Sequence, residues 1–257
     1  MKSKEAIVKD WIKRYTGTLL EEYGKWILLT NFQNYVDKFA QRFKAPVKGR
    51  SGPMTSATNK AGLSIINFGM GSSNAATIMD LLSVVKPHGV LFLGKCGGLK
   101  KSTEIGHFIL PIAAIRGEGT SDDYFPKEVP AMPSFKLHKY VSQILVERDL
   151  DYRTGVIYTT NRRVWEHDDM FKAYLREVRA LGIDMETATL FIVGLYNGIA
   201  RGALLLVSDT PMTPEGVKTS ESDNQVTETY TDLHLDIGIQ VMSRIGREGE
   251  QIKHFVY

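Results

Sequence analysis

The 257-residue sequence predicts an α/β domain with helices layered on a sheet, and three observations lead there. Short β-rich runs alternate along the chain with stretches of helical spacing, a pattern foreign to all-α bundles and β-sandwiches. Between residues 63 and 93 a strand, a helix and a second strand follow one another within roughly the ~30 residues that a βαβ unit needs. Hydrophobic residues make up 43% of the chain and charged residues 24%, an ordinary globular balance that supplies a full core.

Taken in order, residues 4–15 carry the spacing of a modest amphipathic helix, and Trp26-Ile-Leu-Leu reads as a strand. A helix through Tyr35-Val-Asp-Lys-Phe-Ala ends before Pro46. Leu63-Ser-Ile-Ile-Asn-Phe is a strand, Asn74 to Val85 a helix stopped by Pro87, and Val90-Leu-Phe-Leu the next strand. Ile109 to Ile115 and Gly155 to Thr159 read as strands, and Val164, Phe171, Tyr174, Leu175 and Val178 recur at near-helical spacing. Thr187 to Leu195 is apolar almost all round, as a buried helix is. Ala203-Leu-Leu-Leu-Val is the last core strand, and Tyr230, Leu233, Ile237 and Val241 mark a C-terminal amphipathic helix. Residues 116–135 and 210–226 read as long loops, a length that in compact domains goes with function or mobility. With no internal repeat, linker or composition break, residues 1–257 are read as a single domain.

Composition narrows the function classes. Lys+Arg 32 against Asp+Glu 29 leaves a net charge of +3, and no basic run is longer than the pairs Lys100-Lys101 and Arg162-Arg163. That is no footprint for nucleic acid, so a basic site here would serve a small anion. A single cysteine, Cys96, excludes an intrachain disulfide and a cysteine-based zinc site, and points to a reducing, cytoplasmic setting. The N-terminus lacks a signal peptide's apolar segment and no stretch approaches ~18 apolar residues, which argues against export and membrane insertion.

Gly69-Met-Gly-Ser-Ser-Asn74 follows a strand and opens a helix, where glycines let a ligand approach the backbone and helix N–H groups meet an anion. It is no dinucleotide fingerprint, because Asn74 replaces the third glycine and no acidic residue ends the next strand. A tight turn capped by Asn or Ser explains the segment equally well. Gly94-Lys-Cys-Gly-Gly98 stands at the carboxyl end of the following strand, where open α/β sheets place ligands, and reads as a loop holding a small substrate. Cys96 there is better explained as a small buried hydrophobe than as a nucleophile. The six histidines supply no metal-binding helix pair, and Glu166-His-Asp-Asp169 reads as a solvated helix start. Asp184-Met-Glu186 opens the buried helix and Ser208-Asp209 ends the last strand; each carboxylate could be a cap, but two beside apolar stretches suit general-acid work.

The order Gly69-Met-Gly71, Gly94-Lys-Cys-Gly-Gly98, Asp184-Met-Glu-Thr-Ala188 and Val207-Ser-Asp209 resembles the nucleoside phosphorylase/hydrolase superfamily. Leu29-Thr-Asn-Phe-Gln-Asn-Tyr35, Thr159-Thr-Asn-Arg-Arg-Val-Trp-Glu166 and Ser208-Asp-Thr-Pro211 are similar to its AMP-hydrolysing branch, in a short form without the extra N-terminal domain of longer members. The resemblance covers roughly residues 25–245. It implies a three-layer α/β/α domain around a central mixed sheet, of the purine nucleoside phosphorylase kind, assembled as a homohexamer, a trimer of dimers. It also implies hydrolysis of AMP to adenine and ribose 5-phosphate as part of purine salvage, with no cofactor and no metal.

By position, Glu186 matches the glutamate that holds the ribose hydroxyls, with Met185 under the sugar, and Asp209 the aspartate that serves the purine. The chemistry suits both: adenine leaves poorly as an anion, so an acid must protonate it as the C1′–N9 bond stretches, while a glutamate fixes the sugar as it becomes oxocarbenium-like. Gly71, Gly97 and Ser208 belong to the same matched motifs and are expected to bind substrate. Where phosphorylases carry anchors for inorganic phosphate, this chain has Asn31 and Tyr35, and Phe92 and Lys95, which argues for water as the nucleophile. Asn31 or Gln33 could at most orient that water. Arg162, Arg163 and Lys95 are the candidates for the 5′-phosphate, with Arg116 and Lys218 weaker. The alternatives are a purine nucleoside phosphorylase using inorganic phosphate and a non-catalytic nucleotide-binding module.

Overall fold

A computed structural model describes residues 2–248. Eight strands form one mixed sheet: β1 (Trp26–Thr30), β2 (Thr55–Thr58), β3 (Leu63–Asn67), β4 (Gly89–Gly98), β5 (Phe108–Gly117), β6 (Tyr152–Thr160), β7 (Gly182–Asp184) and β8 (Arg201–Asp209). Along the sheet they run β2-β3-β1-β4-β7-β6-β5-β8, and β4 also pairs with β8, so the last five strands close into a ring. β1 pairs parallel with β3 and β4, β4 with β8, and β6 with β5 and β7; the pairings β2·β3, β4·β7 and β5·β8 are antiparallel.

The three layers follow from side-chain alternation on strands that are apolar on both faces. Ile27 and Leu29 of β1, Val90 and Phe92 of β4, and Ala203, Leu205 and Val207 of β8 point to one side. There they meet α1 (Lys4–Thr16), α3 (Ser72–Leu82) and α6 (Thr187–Tyr196). Leu28, Leu91, Leu93, Leu204 and Leu206 point to the other side, against α2 (Gln33–Phe43), α4 (Phe135–Glu147) and α7 (Ser220–Arg247). A smaller cluster of Tyr158, Trp165, Leu175 and Ile183 seats α5 (Asp169–Glu177) at one end of the ring. Eight of the ten residues of α6 are buried, as its all-round apolar sequence implies.

Several expectations need correction. Gly94–Gly98 is strand, not loop: β4 runs through it, its register with β8 shifting between Cys96 and Gly97 so that Gly97 pairs with Asp209, while Gly97 and Gly98 also pair with β7. Its glycines serve close packing, since a Cβ at Gly94 would lie 2.4 Å from the Phe92 ring and one at Gly98 2.7 Å from the Thr103 carbonyl oxygen. Residues 220–226 are helix rather than loop, because Thr219 caps α7 and its side chain accepts from the Ser222 N–H. Val164 precedes α5 and is 68% exposed, the helix starting only where the Asp168 carboxylate accepts from the Phe171 N–H. Segment 116–135 is pinned, with the Arg116 guanidinium donating to Ser121, Asp122 and the carbonyls of Phe125, Pro126 and Val129. β2, β7 and α4 add to the elements read from the sequence. Among the described residues no helix is long and apolar enough to cross a membrane.

Candidate active site

The carboxyl ends of β1, β4 and β8 and the β7–α6 corner converge on one cleft of about 190 Å³. At the corner, two carboxylates take different tasks. Asp184 is the structural one: it accepts from Thr159 Oγ1 at 2.7 Å, from both the N–H and the hydroxyl of Thr187, and from the Glu186 N–H, tying β6, β7 and the start of α6 together. That leaves Glu186 facing the cleft.

Glu186 is 2% exposed; its Oε1 accepts from the Gly71 N–H at 2.7 Å and its Oε2 from the Met185 N–H at 3.3 Å. Loss of water and the neighbouring Asp184 charge outweigh these donors, and the carboxyl is pushed up to about 8. Gly71 reaches it through the turn that opens α3, where Gly69 and Gly71 hold φ of 83° and 95°, values that favour glycine. Met185 lines the cleft, its carbonyl fixed by the Ser72 hydroxyl at 2.6 Å.

Asp209 stands at the end of β8, accepting from Ser208 Oγ at 2.7 Å, with Lys218 Nζ 3.5 Å away. Gly97 makes room for it: a Cβ there would lie 2.8 Å from Pro211 Cγ and 3.3 Å from Asp209 Oδ2. Lys95 is buried between strand and helix, its ammonium bonded to Asp223 at 3.0 Å and Thr227 at 2.6 Å and lying 4.8 Å from the Phe32 ring centre. Burial lowers its pKa, an effect that the Asp223 partner opposes. Asp223 also lies 3.6 Å from Lys218, so charges of alternating sign run along this wall. At the rim, Arg162 pairs with Asp168 at 2.6 Å and Arg163 with Glu166 at 3.4 Å, both guanidinium side chains half exposed.

Asn31, Lys95, Gly97, Arg162, Arg163, Met185, Glu186, Ser208 and Asp209 therefore all line this cleft, and Gly71 touches it through Glu186. Lys218 lines it too. Arg116 does not, being spent on its own loop. Tyr35 and Phe92 are core residues, the Tyr35 hydroxyl bonded to His234 Nδ1 at 2.9 Å. Gln33 is engaged elsewhere, accepting from Thr55 and Asn67 and donating to Asp37, and so is not free to orient a water. Cys96 is buried and its thiol is pushed well up by desolvation, in keeping with a packing role. Sequence reasoning missed Asp223, which carries no motif; Phe32 and Trp165 lie inside recognised motifs but were given no part.

Comparison with known proteins places this geometry. The family model of the phosphorylase superfamily matches residues 25–239. An AMP nucleosidase of Escherichia coli (strain K12) is 29% identical over 94% of this chain and 59% of its own length, so the chain spans 59% of that relative. A uridine phosphorylase of Treponema pallidum (strain Nichols) is 25% identical over 75% of this chain and 80% of its own. The crystal structure of AMP nucleosidase from Bacteroides thetaiotaomicron VPI-5482 superimposes with a TM-score of 0.86, at 49% identity over 97% of this chain and 100% of that one.

Proposed function

Since the chain belongs to the phosphorylase superfamily, we propose that it hydrolyses the N-glycosidic bond of AMP, releasing adenine and ribose 5-phosphate. The observation that carries the reading is the convergence of Glu186 and Asp209 on one cleft whose rim holds Arg162 and Arg163. The likeness to AMP nucleosidases over nearly the whole chain supports it. Asp209 gives its proton to the purine, at N7, as the C1′–N9 electron pair leaves with adenine; Ser208 and Lys218 hold its carboxyl in place. Glu186 accepts from the 2′ and 3′ hydroxyls, with Met185 under the ribose, and these donors favour its charged form. Gly71 and Gly97 keep the backbone close to the substrate. Arg162 and Arg163 exchange their partly exposed carboxylate partners, Asp168 and Glu166, for the 5′-phosphate, which as a dianion is the stronger acceptor. Lys95, already satisfied by Asp223 and Thr227, is the less suited cation.

The same reading takes residues 1–257 as one catalytic domain in a trimer of dimers, a state that the mass in solution decides. The test of substrate is direct. With phosphate-free buffer, AMP should yield adenine and ribose 5-phosphate, and adenosine should react far more slowly, because charge-assisted bonds to the phosphate are lost. Equal rates on the two substrates contradict the assignment of the rim.

A further inference from the structure

Among the described residues that line the cleft, Lys95 is the most deeply buried cation, its side chain 3% exposed against 23% for Lys218, 44% for Arg162 and 55% for Arg163. Charge attracts charge more strongly at such depth than at the rim. The anion that answers Lys95 is the protein's own: Asp223 Oδ1 accepts from its ammonium at 3.0 Å, beside the Thr227 hydroxyl at 2.6 Å. Asp223 also lines the cleft, 38% exposed, with Lys218 Nζ 3.6 Å away. The pair is not needed to seat α7 on the sheet. β4 and α7 already share the apolar layer of Leu91, Leu93, Leu235 and Val241, and a Cβ at Gly238 would lie 2.7 Å from Leu93 Cδ1. An ion pair at depth stabilises a fold no better than apolar residues of the same volume, so one kept here serves the cleft.

An unpaired ammonium at that depth would capture phosphate groups, and the nucleotide of the proposed reaction brings one as a dianion. Held at Lys95 instead of at the rim, the 5′-phosphate would shift the nucleotide along the cleft, and a small misplacement of the C1′–N9 bond from Asp209 costs turnover. Resting on the AMP reading above, we infer that Asp223 is an internal counter-anion, which fills the anion site of Lys95 and so confines phosphate groups to Arg162 and Arg163. The two kinds of pair differ in what holds them. At the rim, Arg162 with Asp168 and Arg163 with Glu166 are partly exposed, and solvent competes for each. Asp223 and Thr227 stand four residues apart on α7, so the helix presents carboxylate and hydroxyl to the ammonium from one face. A phosphate arriving at Lys95 must displace a carboxylate that the backbone keeps in place. At the rim it need only replace a partner that water already loosens.

Isothermal titration calorimetry with inorganic phosphate reads the site without turnover, on the wild type, on Asp223→Asn, and on Asp223→Asn combined with Lys95→Met. Asparagine keeps the shape of the side chain and removes its charge. Asp223→Asn should bind phosphate about 10–10²-fold more tightly than the wild type, the worth of one charge-assisted hydrogen bond. Adding Lys95→Met should return the affinity to the wild-type value. In assays with AMP, phosphate should likewise inhibit Asp223→Asn at lower concentration than it inhibits the wild type. A role for Asp223 in stability alone would lower the thermal midpoint and leave phosphate binding as it is, which would overturn the inference. So would an affinity that rises in Asp223→Asn and stays raised once Lys95 is replaced, because the anion then lies elsewhere. A wild type that releases no adenine from AMP sinks the hydrolytic reading, while the calorimetry still decides whether Asp223 closes Lys95 to phosphate.

Discussion

Asp209, the proton donor of the proposed reaction, has the Ser208 hydroxyl and the Lys218 ammonium as neighbours. An asparagine at 209 keeps the size and one acceptor but has no acidic proton. Asp209→Asn should therefore lose ~10²–10⁴-fold in kcat, the span of general-acid contributions, with unchanged thermal unfolding. Near-normal turnover in steady-state assays would remove Asp209 from the chemistry. In the pair Asp184-Met-Glu186 the residues by themselves suggest only a helix cap or an acid, and it is the resemblance that singles out Glu186. Burial partners separate them: Asp184 is consumed by Thr159, Thr187 and the Glu186 N–H, whereas Glu186 accepts from the backbone of Gly71 and Met185 and opens on the cleft. The distant partners, Thr159 on β6 and Gly71 in the α3 turn, are ones that no local pattern around residue 184 reports.

At the scale of elements, the β7–α6 corner sets a pH dependence. Glu186 keeps its proton to about pH 8 in the folded protein but loses it near its ordinary 4.5 when unfolded. Between those values the unfolded state binds fewer protons, so stability falls as pH rises through the window. Asp184, also pushed up by desolvation, acts in the same direction. Glu186→Gln should flatten, though not abolish, the decline in thermal midpoint from pH 5 to pH 8 measured without ligand; a slope equal to the wild type's contradicts the burial argument. The bend of β4 at its register shift between Cys96 and Gly97 makes a second prediction. A methyl at position 97 meets Pro211 and approaches the Asp209 carboxylate, so Gly97→Ala should cost ~10–10²-fold in kcat through displacement of the acid. Overpacking of this kind destabilises by about 1–3 kcal/mol, which leaves the fold intact for the assay. Unaltered turnover would show that the bend has slack. The strands and helices with strong apolar periods were legible in the sequence, but this bend was not. Three glycines around a lysine read locally as a loop, and only the facing Phe92, Thr103 and Pro211 explain them as packing sites. β7, three residues long, and β2, whose Thr55–Thr58 run is rich in hydroxyls, lack a period long enough to read. α4 was readable, since Leu137, Val141, Ile144 and Leu145 repeat at helical spacing, but it follows the polar segment 116–135 that hid its start.

On the scale of the whole molecule, the ring closed by β4, β7, β6, β5 and β8 brings distant parts of the chain to one edge. Lys95 and Asp223 are 128 residues apart in sequence and 3.0 Å apart in space, which is why Asp223 left no trace in the sequence reading. The same closure bears on the nucleophile. At the positions that the resemblance matches to phosphate anchors stand two core aromatics, a lysine already paired, and Asn31. An anion would find little there to neutralise it. The central claim is therefore that water, and not inorganic phosphate, attacks C1′. Product analysis as phosphate is titrated into the reaction tests it most directly. The account predicts ribose 5-phosphate from AMP at a rate that phosphate leaves unchanged or lowers, by competition at the rim. Ribose 1-phosphate formed from adenosine, at a rate rising with added phosphate, would contradict it.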